Sequence, residues 1–89
     1  MQVREVSVTH PHGLHARVAA RVVVLASRFK CRMQLAFNGR TADARNIIAI
    51  MLLAAGVGSA IRIETNGVDE REAVDELSAL ISSKHDSRG

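Results

Sequence analysis

The chain has 89 residues, which is enough for one domain and little more. Apolar residues make up 47% of it but aromatic residues only 2%, so the core must be built from aliphatic side chains. There is no Trp or Tyr to form the stacking platforms of single-strand nucleic-acid binders, and the net charge of +3 is spread along the chain. We therefore expect no nucleic-acid partner.

No part of the sequence has the pattern of a signal peptide or a membrane span. The first ten residues alternate and carry charges, and the longest apolar stretch, residues 47–57, is too short to cross a bilayer. The single cysteine, Cys31, cannot form an internal disulfide, which suits a reducing compartment. We expect a cytoplasmic protein with one domain over residues 1–89, a buried Cys31, and a frayed polar tail at 83–89.

The N-terminal third of the chain predicts a strand, a turn and a helix. Residues 2–9 alternate between apolar and polar side chains, as a half-buried strand does. Residues 10–13, with the sequence His-Pro-His-Gly, predict a turn. Residues 16–29 have apolar side chains at helical spacing. The predicted buried stripe of this helix comprises Ala19, Val22, Val23, Ala26, and Phe29 or Lys30.

A hairpin is predicted in the middle of the chain. Residues 31–37 alternate more clearly than any other segment and predict a strand. Asn38 and Gly39 follow it, and both residue types tolerate the positive φ that a two-residue hairpin turn requires. Residues 40–43 then form the short return strand.

The remaining segments predict a short helix, a strand and a final helix. Residues 47–53 form an apolar helix, and residues 61–65 alternate as a strand. Asp69 is a predicted N-cap, with Glu72 three residues on completing a capping-box-like pair. The predicted buried stripe of the last helix comprises Ala73, Val74, Leu77, Leu80 and Ile81.

The predicted order of elements is βαββαβα. Each strand has one apolar face, so a single sheet with helices stacked on one side is the natural two-layer arrangement. We therefore predict an α+β fold, an open-faced β-sandwich with a four-stranded antiparallel sheet and three helices on one face.

The segment Gly13-Leu14-His15-Ala16-Arg17 combines groups that suit phosphoryl chemistry. His15 lies between a glycine turn and a helix start, where free N–H groups and the helix dipole stabilise an anion. The guanidinium of Arg17 can donate two hydrogen bonds to one phosphoryl group. A nucleophile, an anion pocket and a cation thus lie together, although such a cluster can also be purely structural.

This segment resembles the active-site motif of HPr, the histidine-containing phosphocarrier of the bacterial phosphoenolpyruvate-dependent phosphotransferase system. The resemblance covers nearly the whole chain, including the strand order, the turn at residues 38–39, the helix at 47–53 and the sequence Gly-Val-Asp-Glu at 67–70. Residues 51–56 are similar to the branch that contains proteobacterial HPr and the nitrogen-related carrier NPr. Whether the pathway serves sugar uptake or nitrogen-related regulation stays open.

The resemblance implies a phosphoryl relay and not an enzyme with its own substrate. Enzyme I would pass a phosphoryl group from phosphoenolpyruvate to Nδ1 of His15, Arg17 would stabilise that group, and an enzyme IIA domain would receive it. No cofactor is implied. The residues that would dock both partners are Ala16, Ala20, Ile47, Ile48 and Met51.

The composition of the short helix supports this docking role independently. Ile50 and Leu53 are enough to form the buried stripe of this helix, so the core does not need Ile47, Ile48 and Met51. An exposed apolar patch beside a reactive group usually marks a partner surface. The alternative is that a second layer of core buries the three side chains.

Two positions depart from the usual HPr pattern. Val18 replaces the proline that commonly follows the motif arginine, which predicts a less rigid helix start. Asn46 replaces the regulatory serine that many HPr proteins carry. Asparagine has no hydroxyl to accept phosphate, although it can cap the helix that begins at Ile47. We therefore predict that phosphorylation by a serine kinase is absent.

The neighbouring histidines allow an alternative function as a small metal-binding domain. His10, His12 and His15 could together bind Zn²⁺ or Ni²⁺. No carboxylate or cysteine completes the set, so such a site would be weak. If there is no metal, His10 and His12 are loop residues that flank the phosphoryl group. We expect a monomer with no membrane partner.

Overall fold

The computed structural model describes residues 1–82, and the predicted frayed tail at 83–89 lies outside the described residues. The observed order of elements is βαββαβα, as predicted. The elements are β1 (Gln2–Ser7), α1 (Ala16–Ala26), β2 (Arg32–Phe37), β3 (Arg40–Asp43), α2 (Ile47–Leu52), β4 (Ala60–Asn66) and α3 (Glu70–Ile81).

The four strands form one antiparallel sheet in the order β1-β4-β2-β3. The register places Ile63 of β4 opposite Leu35 of β2, and both side chains are fully buried beneath the helices. Arg62 and Glu64 alternate with the buried positions of β4 and form an ion pair at 3.1 Å on the open face. The predicted open-faced β-sandwich is confirmed.

The turn between β2 and β3 has the geometry that its sequence predicts. Asn38 has a φ of 53° and Gly39 a φ of 79°, so both residues adopt the left-handed conformation that matches the twist of a tight hairpin. Phe37 pairs directly with Arg40 across the turn. This closed hairpin fixes where β3 ends and therefore where α2 begins.

The core is aliphatic, as the composition requires. Its largest fully buried side chains come from the inner face of the sheet, from the residue directly after β1 and from all three helices: Val8, Val18, Val22, Met33, Leu35, Ile50, Ile61, Ile63, Val74, Leu77 and Ile81. Cys31 is also buried, as predicted, and its thiol lies beside the carboxylate of Asp69. Burial, reinforced by this carboxylate, raises the pKa of Cys31 to about 11, which keeps the thiol protonated and unreactive.

The ends of two helices differ from the prediction. α1 ends at Ala26 and not near Phe29, because the N–H groups of Arg28 and Phe29 turn back onto carbonyls three residues earlier. Phe29 therefore lies beyond the helix and is half-buried. Val23, within the helix, is also only half-buried, while Val18 and Leu25 complete the buried stripe. α2 ends at Leu52, one residue early.

The predicted capping box at the start of α3 is wrong. Asp69 does occupy the N-cap position, but its side chain makes no hydrogen bond to the helix. Its carboxylate instead accepts the backbone N–H groups of Lys30 and Cys31, both at 2.9 Å. These bonds, that of Lys30 first, hold the pKa of Asp69 below its ordinary value. The carboxylate thus joins α3 to the start of β2.

Candidate functional site

His15 is the N-cap of α1, in an extended conformation with φ −79° and ψ −178°. Its carbonyl accepts the N–H of Ala19 at 2.8 Å, which begins the helical hydrogen bonds. Its side chain caps the helix as well, since Nδ1 lies 3.3 Å from the backbone nitrogen of Arg17 and accepts its N–H. The nitrogen that resemblance assigned to phosphoryl transfer therefore points at the free N–H groups of the first turn.

The loop before His15 is held against the end of α2. Gly13 donates its N–H to the carbonyl of His10 at 2.9 Å and has a φ of +68°, and a Cβ there would collide with the carbonyl oxygen of Ala55. The buried Leu14 then donates its N–H to the same carbonyl of Ala55 at 3.0 Å. Glycine is required at position 13 both by its φ and by this close approach.

His12 is the nearest neighbour of His15 in the turn. The two imidazole rings meet edge to face, with centroids 5.8 Å apart and an angle of 83° between their planes. Both rings line a shallow open hollow, together with Leu14, Met51, Ala54, Ala55 and Gly56. The sequence prediction that His12 flanks the reacting group is compatible with this position.

His10 does not belong to the site, contrary to the prediction that it flanks the phosphoryl group. It is only 3% exposed, and its Nε2 lies 2.8 Å from the carbonyl oxygen of Leu80 at the end of α3. The alternative metal site needed this ring beside those of His12 and His15. Within residues 1–82, no three His, Cys, Asp or Glu side chains are grouped so that they could hold a metal ion.

The start of α1 is suited to a negatively charged group. No acidic residue lies in its first turn, so the partial positive charge of the helix end is not opposed there. Arg17 lies exposed in the same turn, two residues from His15. Val18, which replaces the family's usual proline, is fully buried and contributes to the core. The helix therefore begins at the expected residue without a proline.

The predicted docking residues lie on α1, which begins directly after His15, and on α2, whose Met51 lines the same hollow as the His15 ring. Ile48 is 60% exposed and Met51 39% exposed, whereas Ile47 is only half-buried against the core. Ala16 and Ala20 are exposed on α1. We call these five residues the docking surface. The alternative, that a second core layer buries the α2 side chains, is wrong for Ile48 and Met51.

Sequence reasoning missed three further exposed apolar side chains near this surface. Val24 lies one turn beyond Ala20 on α1, Leu52 follows Met51, and Val57 lies in the loop after α2, each more than half exposed. The sequence did contain a signal for Val24: it lies four residues after Ala20, so the helical period puts both on the same exposed face. The apolar surface is therefore larger than predicted.

Asn46 caps α2 as the sequence predicts. Its side-chain oxygen accepts the N–H of Ala49 at 3.1 Å, and its own N–H is donated to the carbonyl of Asp43 at 2.9 Å. The side chain at this position is exposed and presents an amide where a serine would present a hydroxyl.

Comparison with known proteins agrees with the resemblance. The family model described as the phosphorylation site of the HPr component of the phosphotransferase system matches residues 2–83. The phosphocarrier protein HPr of Cupriavidus necator is 43% identical over 84 residues, which cover 94% of both chains. Among solved structures, an HPr from Bacillus anthracis has 40% identity and a TM-score of 0.86, covering 90% of this chain and 95% of that chain. An HPr from Thermoanaerobacter tengcongensis has a TM-score of 0.89 at 33% identity, covering 94% of each.

Fold and matches together define a phosphocarrier of the phosphotransferase system, a protein that carries phosphoryl groups and is not itself a catalytic enzyme. The chain belongs to the HPr family. A carrier named NPr, from Shewanella violacea, also matches, at 31% identity over 93% of this chain and 91% of that one. Within residues 1–82 no helix is long and apolar enough to cross a membrane.

Proposed function

We propose that the chain carries a phosphoryl group on Nδ1 of His15, received from phosphorylated enzyme I and passed to an enzyme IIA domain. The observation that carries this proposal is the hydrogen bond from the N–H of Arg17 to Nδ1. A ring nitrogen that accepts a hydrogen bond has a lone pair, so the proton of the neutral ring is on Nε2. That lone pair is the nucleophile.

The transfer exchanges one P–N bond for another. The lone pair of Nδ1 of His15 forms a bond to phosphorus, while the P–N bond of the donor phosphohistidine breaks and its electron pair returns to the donor nitrogen. The attacking and leaving nitrogens are in line, and charge is spread over the three phosphoryl oxygens. Because bonds of the same kind form and break, the group can move on to an acceptor with little loss of free energy.

The start of α1 stabilises the phosphorylated state. Once Nδ1 is bonded to phosphorus, it can no longer accept the N–H of Arg17, and a phosphoryl oxygen takes its place as acceptor. The dipole of the 11-residue helix favours the added negative charge. The guanidinium of Arg17 adds charge-assisted hydrogen bonds. Stabilisation thus comes from groups within two residues of His15.

The docking surface supplies orientation and keeps water out. Met51, which lines the same hollow as the reactive ring, and the exposed Ile48 on the same helix allow a partner to cover the site with apolar side chains. A labile P–N bond is protected when water is excluded during transfer, and the reacting atoms are held in line. The same surface serves donor and acceptor in turn, which requires both complexes to be transient.

Three further features bear on regulation, cellular location and oligomeric state. Asn46 offers no hydroxyl, so the carrier is not switched by a serine kinase. The buried free thiol of Cys31 suits the cytoplasm, where the relay operates. The working form is a monomer, because the docking surface has to stay open. One similar solved structure is nevertheless that of an HPr dimer, from Thermoanaerobacter tengcongensis. Its identity is 33% and its TM-score 0.73, and the match covers 94% of this chain and 97% of that chain.

A reconstituted relay tests the proposal and also separates its two branches. Purified chain is incubated with phosphoenolpyruvate, enzyme I and either a sugar-type or a nitrogen-type enzyme IIA domain, and the phosphorylation of each domain is followed. We expect at least one IIA domain to be phosphorylated only when the chain is present, and the faster one to identify the branch. Failure of every matched IIA domain to gain phosphate from the phosphorylated chain would contradict the relay.

A further inference from the structure

Arg45 makes contacts that none of the preceding roles uses. It lies in the loop between β3 and α2, one residue before the cap of α2, and its own N–H is donated to Oδ1 of Asp43 at 2.8 Å. Its Nη2 lies within hydrogen-bond distance of three backbone carbonyl oxygens, those of Ala26 at 3.0 Å, Phe29 at 2.6 Å and Cys31 at 3.1 Å. One nitrogen thus holds the segment from the last residue of α1 to the start of β2.

The end of α1 receives an additional donor and a positive charge from Arg45, beside the bonds that its carbonyls accept from Ser27, Arg28 and Phe29. α1 has no basic residue in its last turn, although carbonyls and partial negative charge accumulate there. The guanidinium of Arg45 supplies both the hydrogen-bond donors and the positive charge. A loop residue that directly precedes α2 therefore completes the C-terminal end of α1.

α2 is consequently fixed to the neighbourhood of α1 at both of its ends. Beyond its C-terminal end, the carbonyl of Ala55 accepts the N–H of Leu14, next to His15. Before its N-terminal end, Arg45 bonds the carbonyl of Ala26, the last residue of α1, and that of Phe29 in the segment just beyond it. Between these two anchors lie Ile48 and Met51, the exposed residues that α2 contributes to the docking surface.

We propose that Arg45 is a positioning residue for partner docking: it holds the start of α2 against the end of α1, so that the docking surface is preformed before enzyme I arrives. The inference rests on the proposed function, since it concerns docking of the phosphoryl donor. The two anchors act at opposite ends of α2, and the one beside His15 does not involve Arg45. Loss of Arg45 therefore weakens docking and leaves the transfer step itself intact.

The test compares R45Q, R45K and R28Q in phosphoryl transfer from enzyme I, with KM and kcat measured separately. Arg28 lies just beyond α1 and loses the same charge in R28Q, but its guanidinium bonds the side chain of Glu76 and not the helix carbonyls. We expect the KM of R45Q for the donor to rise about threefold to tenfold, because α2 must then be ordered on binding, with kcat within about twofold of wild type. R45K should restore KM, since an ammonium keeps the positive charge and has three N–H donors for the same carbonyls, and R28Q should behave as wild type.

A second measurement does not depend on any partner. Amide hydrogen exchange should speed up at Ala49 and Ile50 of α2 in R45Q, and stay as in wild type at Ala19 of α1. Equal acceleration throughout the chain, or failure of R45Q to fold, would show that Arg45 supports the whole fold and would overturn the proposal. Three kinetic results would overturn the proposal too. R45Q could keep the KM of wild type, R45K could have a KM as high as that of R45Q, or R28Q could have a KM raised as much as that of R45Q. If enzyme I does not phosphorylate the wild-type chain, the proposed function is wrong. The hydrogen-exchange measurement would then still show whether Arg45 orders α2.

Discussion

The backbone N–H of Arg17 lies 3.3 Å from Nδ1 of His15, so the reactive nitrogen of the ring also caps the helix that follows it. One lone pair serves both purposes. When it forms the bond to phosphorus, the cap is lost and a phosphoryl oxygen replaces it as acceptor. The first turn of α1 is therefore organised around an acceptor in the unphosphorylated chain and around an anion in the phosphorylated one.

Replacing Arg17 should slow phosphoryl transfer from enzyme I more than replacing an exposed arginine elsewhere on the chain. R17A keeps the backbone N–H but removes the guanidinium, and we expect about a tenfold slower transfer from enzyme I because a charge-assisted hydrogen bond to the phosphoryl group is lost. R71A is the matched control, since Arg71 is exposed in the first turn of α3. Rapid-quench kinetics measure both. Equal rates for R17A and R71A would contradict the role of Arg17.

Two isoleucines on α2 should separate docking from stability. Ile48 is 60% exposed, so I48A should raise the KM for enzyme I while changing the free energy of unfolding by no more than about 0.5 kcal/mol. Ile50 is fully buried, so I50A should cost about 2–5 kcal/mol of stability. Urea unfolding and transfer kinetics on both variants check this. A KM for I48A that equals that of wild type would remove Ile48 from the docking surface.

The sequence predicted features that depend on neighbours along the chain. Alternation in β2, the positive φ of Asn38 and Gly39, and the cap of α2 by Asn46 are all local, and all three are confirmed. The burial of Ile50 followed from the helical period alone. The local sequence placed His15 at a helix start that suits an anion, but its phosphoryl role came from the resemblance of residues 13–17 to the HPr motif and stays a proposal.

What the sequence could not predict depends on distant partners. The ring of His10 is bonded to the carbonyl of Leu80, which lies 70 residues away along the chain. Asp69 has the local pattern of a capping box, but its carboxylate prefers two free N–H groups at the start of β2, 38 and 39 residues away. The contacts of Arg45 left no pattern in the sequence, because its acceptors are backbone carbonyls, which every residue type has.

Asn46 should make the chain resistant to the kinase that phosphorylates the regulatory serine of other HPr proteins. Wild type incubated with that kinase and ATP should gain no acid-stable phosphate, because an amide offers no hydroxyl. N46S should gain it, since serine can cap α2 as asparagine does and restores the acceptor. Intact-mass measurement after acid treatment reads out both proteins. Acid-stable phosphate on wild type would refute the prediction.

Asp69 should give stability that disappears in acid. Because the folded pKa of Asp69 is lowered, chiefly by the N–H of Lys30, its contribution is complete above the unfolded pKa of about 4 and is lost as the pH falls through the folded pKa. D69N should therefore be less stable than wild type at neutral pH, and the difference should shrink as the pH is lowered.

Urea midpoints measured across this pH range test the role of Asp69. D75N is the control, because Asp75 forms an exposed ion pair with Arg4, at 2.7 Å. Its midpoint should follow that of wild type at every pH. A gap between wild type and D69N that stays constant down to the lowest pH would contradict the assignment.

Every step of the proposed relay depends on Nδ1 of His15 accepting the phosphoryl group. The most direct measurement is phosphorus NMR and intact mass of the chain after incubation with phosphoenolpyruvate and enzyme I, before and after mild acid. H15N is the control, because asparagine keeps a cap on α1 but has no nucleophilic ring. We expect one acid-labile phosphoryl group with the resonance of an Nδ1 phosphohistidine on wild type, and none on H15N. No phosphoryl gain by wild type, a gain retained by H15N, or a resonance typical of Nε2 would contradict it.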